Sequence, residues 1–447
     1  MLDILRNTTY RRLLAAQIVA LLGTGLATVA LALLAFDLAG ASAGAVLGTA
    51  LFVKMVAYVG LSPFAGALTP MLPRKAVLIG MDLVRAGVAV LLPFVDQVWQ
   101  VYVLIFVLQS ASAIFTPTFQ ATIPDVLTGE RDYTRALSLS RLAYDLENLL
   151  SPAMAAILLL VVGFHALFAG TAVGFLLSAL LVLSATLPVA DRSGKAKPFS
   201  ERVTRGLRIF LATPRLRGLL ALNLSAAAAG AMVIVNTVVI VRGMLGRSES
   251  ELGLAMASFG AGSMLAALAL PRLLDRLGDR PVMLAGAAGL GVLTALFAAL
   301  VGTVGDAHLW LWLLGVWFLL GTAYSSVLTP TGRLLRRSAH AEDRPAVFAA
   351  QFALSHACWL VTYPLAGWLG AGASMAAATL VLSLLTFAGA IAALVLWPSA
   401  DSLVIAHRHA DLPGDHPHLR EGDPSAGVHR HPFVIDDLHP SWPRNGL

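Results

Sequence analysis

Histidine and aspartate side chains are concentrated near the end of the chain, where they could bind a metal ion. Seven of the eleven histidines fall in this region, and six of them form three His-x-His units. The seven are His407, His409, His416, His418, His429, His431 and His439. Imidazole and carboxylate ligands without thiolate suit borderline divalent ions such as Ni²⁺, Co²⁺, Zn²⁺ or Cu²⁺. The pattern predicts a metal-binding segment; the alternative is a solvated His-rich tail that binds metal adventitiously.

A second group of polar residues interrupts long apolar segments. One segment carries Tyr144, Asp145, Glu147 and Asn148, and an earlier one carries Lys54. A charge deep in a bilayer costs about 2.5–3.5 kcal/mol unless it is paired or faces a cavity. We expect these residues to line a transport pathway. The alternative is a structural pair between Lys54 and a carboxylate that holds two helices together.

A later apolar segment contains His356 and Cys358, the single cysteine. Aligning Pro152 with Pro364 places His356 opposite Tyr144, on the other wall of a central cavity. Residues two apart on a helix point in different directions, so His356 and Cys358 would not bind one ion together. We predict His356, and less strongly Cys358, as transient ligands in the pathway; a histidine that only bonds a neighbouring helix is the alternative.

Composition indicates which elements must position these residues. The chain of 447 residues is 58% hydrophobic and 13% charged, with a mean hydropathy of +0.79. These values lie outside the range of soluble globular proteins. Apolar segments of about 20 residues, the length that crosses a bilayer, alternate with short charged clusters. We predict an all-α membrane protein with twelve transmembrane helices in two six-helix bundles.

The predicted spans fall in two sets of six. The first set is Leu13 to Phe36, Gly44 to Leu68, Ala76 to Val95, Trp99 to Phe119, Ala136 to Val162 and Ala166 to Val189. The second is Leu216 to Val241, Leu252 to Leu274, Val282 to Val304, Leu309 to Leu328, Pro345 to Trp368 and Ala371 to Trp397. The implied domains are a first bundle (1–190), a basic loop (191–215), a second bundle (216–397) and a His-rich tail (398–447).

Loop charge predicts orientation. The stretch from Asp191 to Arg217, which we call the pivot, carries eight Lys or Arg residues. The loops after the second, fourth, eighth and tenth predicted spans, on the same side of the membrane as the pivot, are basic too. By the positive-inside rule, the pivot and both termini are expected in the cytoplasm, in a bacterial inner membrane. The positive residues behind the formal net charge of +6 are expected to set the topology and to contact lipid headgroups. We expect no nucleic-acid partner. After Asp401 the composition predicts a disordered or weakly ordered tail.

The two halves contain an internal repeat. Phe-Thr-Pro-Thr at Phe115 to Thr118 recurs as Leu-Thr-Pro-Thr at Leu328 to Thr331, each at the end of a fourth span. Acidic and basic residues follow about a dozen positions later in both halves. Two six-helix bundles with the same orientation form the parallel-repeat architecture of several transporter folds.

The loop Pro271-Arg-Leu-Leu-Asp-Arg-Leu-Gly-Asp-Arg280 resembles the Gly-x-x-x-Asp-Arg-x-Gly-Arg-Arg signature of the major facilitator superfamily. The first-half copy begins at Gly66 and keeps the basic pair Arg74 and Lys75, but Pro70 replaces the aspartate. The resemblance implies a gating motif, with Asp82 and Arg85 as a substitute for the missing acid. The implied gating residues are Gly66, Arg74, Lys75, Asp82, Arg85, Asp275, Arg276, Gly278 and Arg280.

Two further resemblances concern the substrate. Thr116-Pro117, Ile123-Pro124-Asp125 and Pro152 resemble the drug- and siderophore-exporting branch of that superfamily. The His-rich tail resembles that of nickel-resistance permeases in the same superfamily, which implies metal resistance through efflux. The chain contains no Gly-x-x-x-x-Gly-Lys-Ser/Thr loop, so export would run on an ion gradient.

The leading hypothesis is a proton-coupled antiporter that exports Ni²⁺, and also Co²⁺, by alternating access; it is not an enzyme and needs no cofactor. Metal ligands must be deprotonated, so protons arriving at Asp145, Glu147 or His356 would displace the ion. Proton-driven export of an organic substrate, such as a macrolide-like drug or a siderophore, is the alternative. A third hypothesis is a membrane metal sensor that does not transport. We expect a monomer surrounded by lipid.

Overall fold

The computed structural model describes residues 2–68, 73–127, 153–187, 199–340, 343–399, 404–407 and 429–443. Between 128 and 152 it describes positions 132, 136, 139, 140, 143, 147, 150 and 151, all of them helical. The described part of the predicted fifth span therefore consists of those positions and its last turns.

The described part of the first half contains long helices, and side chains cap the first turns of two of them. α1 begins after Asn7, whose side chain accepts a hydrogen bond from the backbone of Tyr10. α4 begins after Gln97, which forms a capping box with Gln100. Caps of this kind pair amide groups that a first helical turn leaves unsatisfied. The helices are α1 (Thr8–Ala39), α2 (Ala43–Leu68), α3 (Arg74–Leu91), α4 (Val98–Val126) and α5 (His165–Ser184).

The second half is helical throughout its membrane part. A π-helical turn, Val239–Met244, extends α7, and Gly278, with φ of +81°, separates α8 from α9. The helices are α6 (Phe199–Ala212), α7 (Pro214–Val238), α8 (Glu249–Leu277), α9 (Asp279–Leu300), α10 (Asp306–Leu328), α11 (Thr331–Arg337), α12 (Arg344–Gly372) and α13 (Met375–Leu396).

The all-α membrane architecture is confirmed. Ten segments of described residues are long and apolar enough to cross a membrane. One of them, Thr8–Leu61, comprises α1 and most of α2, and the partly described fifth span is not among the ten. Several helices are longer than predicted; α1, for example, begins five residues before Leu13, the predicted start.

Helices that are distant in the sequence pack together within each half. α1 packs against α5 and α2 against α4; in the second half, α7 packs against α13 and α8 against α10. Between the halves, α2 lies along α12. The helix α7 is buried along most of its length, so it forms the centre of the second half.

The pivot is more ordered than the basic loop predicted from its composition. Its second part forms α6, an amphipathic helix of 14 residues. Ile209 and Phe210 are buried, whereas Arg208 is exposed. Burying an apolar stripe while leaving the charges in water stabilises a helix at the membrane surface. The pivot therefore includes a packed helix, which the charge count concealed.

The prediction of a disordered or weakly ordered tail is wrong for its last described part. Two short antiparallel strands, β1 (Val404–His407) and β2 (His429–Pro432), pair with each other. Directly after β2, Phe433, Val434 and Ile435 are buried to 8% exposure or less. Burying these three apolar side chains offsets the entropy lost on ordering, which the overall composition of the tail did not reveal.

Candidate functional site

Lys54 and Glu147, two of the predicted pathway residues, are brought together from different helices. Lys54 lies on α2 and interacts electrostatically with Glu147 of the fifth span. On α1, a Cβ added at Gly25 would lie 3.6 Å from Cγ of Glu147. The same Cβ would overlap Cβ of Ser151, so the absence of a side chain at Gly25 lets the fifth span pack closely on α1. Opposite charges in an apolar surrounding interact more strongly than the same charges in water.

His356 lies on α12 and faces the same region. Lys54 lies near enough to oppose a positive charge on the His356 ring, and the ring stacks on Tyr58 of α2 with centroids 5.5 Å apart. Nδ1 of His356 donates a hydrogen bond to the backbone oxygen of Phe352 over 2.7 Å. Because a carbonyl oxygen can only accept, the neutral ring keeps its lone pair on Nε2. Nε2 is thus the atom of His356 that could accept a proton or contact a substrate.

Aromatic rings line one face of α12. Phe352, His356, Trp359 and Tyr363 follow the spacing i, i+4, i+7, i+11, which places them in one stripe. Trp359 and Tyr363 lie 4.8 Å apart between ring centroids, and Phe352 and His356 lie 4.0 Å apart. A Cβ added at Gly230 of α7 would lie 2.6 Å from the Trp359 ring. The stripe therefore runs between α2 and α7.

Cys358 lies off that stripe. It is buried, and its sulfur contacts the backbone oxygen of Leu354 at 3.5 Å. Its different direction from His356 agrees with the geometric argument against a shared ion. Tyr144, Asp145 and Asn148 lie outside the described residues, and so do His409, His416 and His418.

The two halves touch near the face opposite to the pivot. A Cβ on Gly48, early in α2, would lie 2.6 Å from the backbone oxygen of Tyr363 on α12. A Cβ on Gly253, early in α8, would lie 2.6 Å from Cα of Ala156 in the fifth span. Cβ atoms do not approach backbone this closely, so both contacts require glycine. They hold helix ends of the two halves together on that face.

On the pivot face, the first copy of the predicted gating motif is tied to other helices of its own half. Arg74, at the start of α3, forms an ion pair with Asp125 at the end of α4. Nζ of Lys75 donates to the backbone oxygen of Ala185 over 2.8 Å. Gly66 lies in the last turns of α2. Arg74 therefore already has an acidic partner, although the motif lacks its own aspartate.

Asp82 and Arg85 are buried deeper in the same half. They form an ion pair within α3, and Oγ of Ser178 on α5 donates to Asp82 over 2.7 Å. The Arg85 guanidinium lies over the rings of Phe115 and Phe175, 4.1 Å and 4.5 Å from their centroids. These contacts hold α3 to α4 and α5, so the structure gives this pair partners within the first half.

The second copy of the motif contains a buried acid that the sequence had not singled out. The Asp279 carboxylate has 0% exposure and lies 3.1 Å from Nε of Arg333 and 3.1 Å from Nη1 of Arg337. The predicted acid, Asp275, is 76% exposed on its side chain and lies 3.3 Å from Nη1 of Arg333. Among the described residues, Asp279 therefore has two basic partners and is buried, whereas Asp275 has one basic partner and is mostly exposed.

The remaining residues of the second copy shape the turn between α8 and α9. Gly278 adopts a φ of +81°, a conformation that L side chains rarely adopt. Nε of Arg280 donates to the backbone oxygen of Trp397 over 2.8 Å, which ties α9 to the end of α13. Arg276 is exposed at the end of α8.

The predicted metal-binding histidines are described in part. The register of β1 and β2 pairs His407 with His429 and Ile405 with His431. His439 is buried, and its Nδ1 lies 2.9 Å from Oδ1 of Asp436. Among the described residues, no group of three or more His, Cys, Asp or Glu is arranged to hold a metal ion.

Sequence reasoning missed Tyr58 and Asp279. Tyr58 follows Lys54 by four residues and so lies on the same face of α2, a spacing that could have identified it. Asp279 follows Asp275 by four residues, but which of the two acids is buried depends on α11, whose position the motif does not encode.

A family model for the Major Facilitator Superfamily matches residues 13–244 and 219–411. The two matches together cover most of the chain, and the paired halves agree with that architecture. The chain belongs to the major facilitator superfamily, and it is a multi-pass membrane transporter rather than an enzyme.

Two relatives are similar to parts of the chain. Macrolide efflux protein A of Streptococcus pyogenes is 27% identical over 175 residues, 36% of this chain and 43% of that protein. The chain thus matches about two-fifths of that relative's length. The MFS-type transporter YfiS of Bacillus subtilis is 26% identical over 348 residues, 76% of this chain and 81% of that protein.

Solved structures support the fold alone. The nucleoside transporter NupG aligns with a TM-score of 0.64 at 15% identity, covering 87% of this chain and 98% of that one. The D-xylose-proton symporter aligns with a TM-score of 0.64 at 14% identity, covering 87% and 97%. The predicted major facilitator fold is confirmed.

Proposed function

We propose that this transporter exports an amphiphilic organic compound in exchange for protons, by alternating access between two six-helix bundles (1–190 and 216–397). The observation that carries the proposal is the aromatic stripe of α12 beside the Lys54–Glu147 pair. Aromatic faces suit a large apolar body, and the opposite charges of Lys54 and Glu147 can orient a small number of polar groups. The resemblance to a macrolide efflux protein supports this substrate class.

Glu147 would couple the two fluxes. In the exchange cycle, the ionised carboxylate is paired with Lys54 while substrate binds from the cytoplasmic side, which we assign to the pivot face. After the bundles rock to the outside-open state, an external proton binds to the carboxylate and cancels its charge. Lys54 then loses its counter-charge, the polar contacts of the substrate weaken, and the substrate leaves. Return to the inside-open state releases the proton into the cytoplasm.

His356 would contribute a second acceptor. Its Nε2 keeps a lone pair and the ring lies within electrostatic range of Lys54, so a proton there would be opposed by the Lys54 charge. Stacking against Tyr58 keeps the ring in place during the cycle. In this scheme the aromatic stripe binds the apolar body of the substrate and His356 senses the proton.

Transport into inside-out vesicles tests the proposal. Vesicles containing the chain should accumulate a radiolabelled macrolide when a proton gradient is imposed, and an ionophore should abolish the accumulation. Glu147→Gln should lower gradient-driven uptake by at least about tenfold, because the neutral side chain cannot carry a proton. Asp306→Asn, at the exposed start of α10, is the matched control and should retain uptake. Equal uptake by Glu147→Gln and the control would reject proton coupling through this site.

The second candidate is export of a divalent metal, Ni²⁺ or Co²⁺, with the tail as a cytoplasmic collector. The observation in its favour is the pairing of His407 opposite His429 in the β1–β2 register. Replacing the six histidines between 407 and 431 by asparagine, with residues 433–443 intact, separates the candidates. Loss of nickel tolerance with unchanged macrolide export would favour metal export that depends on the tail histidines. Unchanged nickel tolerance would favour export of an organic compound.

A further inference from the structure

The last described part of the tail, residues 433–442, is packed against the pivot face of the second half. Phe433 and Ile435 are 3% and 1% exposed. The Phe433 ring contacts the rings of His439 and Trp442, with centroids 4.7 Å and 5.1 Å away. This small apolar cluster turns the tail back on itself and anchors it.

Arg205 of α6 connects three parts of the chain. Its Nε and Nη2 donate to the two oxygens of Asp343, over 2.5 Å and 3.0 Å, at the start of α12. Its Nη1 donates to both oxygens of Asp437 in the tail, over 3.0 Å and 2.9 Å. The planar guanidinium is suited to binding two carboxylates at once. One side chain of the pivot therefore holds both α12 and the tail.

Asp436 organises the turn beside that contact. Its Oδ1 accepts hydrogen bonds from the backbone amides of Leu438 and His439, over 2.8 Å and 2.7 Å. Its Oδ2 lies 3.3 Å from Nε2 of His340, in the segment between α11 and α12. Arg208 of α6 donates to the backbone oxygen of Asp436 over 3.2 Å. The carboxylate thus joins the tail turn to the segment that leads into α12.

Arg215 secures the other end of the docked segment. It is 1% exposed at the start of α7, and its Nε donates to Oγ of Ser338 over 2.9 Å. Its guanidinium lies 5.1 Å from the centroid of the Trp442 ring. A buried charge is costly unless it is paired or hydrogen-bonded. The contacts of Arg215 satisfy its charge and connect the tail, α7 and the segment after α11.

We propose that residues 433–442 form a cytoplasmic strap that fastens the pivot helix α6 to the start of α12 and thereby slows alternating access. The pivot joins the two halves, and α12 carries the aromatic stripe and lies along α2. All of its described contacts lie in the second half, so the strap acts by holding the second-half end of the pivot in place while the bundles rock. This role in transport rests on the proposed function, whereas docking of the strap stands on its contacts alone.

Hydrogen exchange on the full-length chain in lipid nanodiscs tests docking directly. The amides of residues 433–442 should be protected, and Asp436→Ala should lower their protection by at least about tenfold, since it removes several bonds to one charged group. Asp437→Asn removes only the exposed ion pair with Arg205 and should lower protection about twofold. Asp415→Ala, in the same tail but outside this segment, is the control. An unprotected segment in the parent chain, or unchanged protection in Asp436→Ala, would overturn docking.

The effect on transport is measured on the same variants. Asp436→Ala and a chain truncated after Pro432 should exchange substrate several-fold faster than the parent, and a chain truncated after Pro443 should not. If protection is lost and the rate is unchanged or lower, the strap does not slow transport. Where no transported compound is found, interconversion of the bundles can be followed by distance measurements between spin labels. Docking and the proposed function can therefore fail separately.

Discussion

The pivot face carries an ion pair in each half, and the two pairs have opposite polarity. Aligning Gly66 with Pro271 also aligns Arg74 with Asp279 at the starts of α3 and α9. In the first half the basic residue is on α3, and its acid, Asp125, ends α4. In the second half the acid is on α9, and its basic partners, Arg333 and Arg337, lie on α11.

This reversal shows that the repeat preserves a bridge between two helix ends without preserving which helix supplies the charge. Burial differs too. The side chains of Arg74 and Asp125 are 19% and 30% exposed, whereas Asp279 is 0% exposed and its partners Arg333 and Arg337 are 44% and 27% exposed. Removing one member of a buried pair leaves an uncompensated charge in a poor solvent. The second-half bridge should therefore be much more sensitive to mutation.

Replacing Asp279 should have the largest effect. Asp279→Ala leaves Arg333 and Arg337, which are 44% and 27% exposed, without their shared acid; because water solvates them in part, the chain should lose about 2 kcal/mol of stability. Thermal unfolding in detergent measures the loss. Asp275→Ala is the matched control, because that acid is exposed, and it should cost less than about 0.5 kcal/mol. Equal losses at the two positions would contradict the assignment of Asp279 as the principal acid of this motif.

Replacing Arg74 should have a smaller effect. Arg74→Ala should cost about 1 kcal/mol in the same unfolding measurement, because water reaches both members of its pair with Asp125. Arg276→Ala, exposed at the end of α8, provides the baseline. A loss as large as that of Asp279→Ala would show that burial does not separate the two bridges.

The tail provides the smallest expected change, a pH dependence. Burial alone would raise the pKa of Asp436, but hydrogen bonds from His439 and His340 hold the pKa below its usual range. The bonds with Arg205 lower the pKa of Asp437 as well. Carboxyl groups with a lowered pKa in the docked state stabilise docking above their undocked pKa of about 3.9. That contribution disappears as the pH falls through the lower docked pKa.

Protection of residues 433–442 against hydrogen exchange, corrected for intrinsic rates, should therefore stay constant between about pH 8 and pH 6 and fall below about pH 4. Lys54→Met, far from the tail, should give the same profile. A loss of protection near neutral pH would contradict control of docking by these two carboxylates.

Much of the site could be predicted because membrane insertion restricts where charges can lie. Lys54, Glu147 and His356 stand out in apolar segments, and the structure brings all three to one region between α2, α12 and the fifth span. Tyr58 and the aromatic stripe were not found in the same way. Aromatic residues are common in apolar helices, so their alignment matters only once the neighbouring helices are placed.

The sequence alone determined the class of protein: apolar segment length, loop charge and the repeated Thr-Pro motif follow from bilayer thickness, from topology and from duplication. Tertiary structure decided what those rules leave open. It selected Asp279 over Asp275, made the second part of the pivot a packed helix, and ordered the tail segment after Pro432. Each of these outcomes depends on which groups are buried against distant parts of the chain. Burial of that kind is a property of packing, which local composition does not encode.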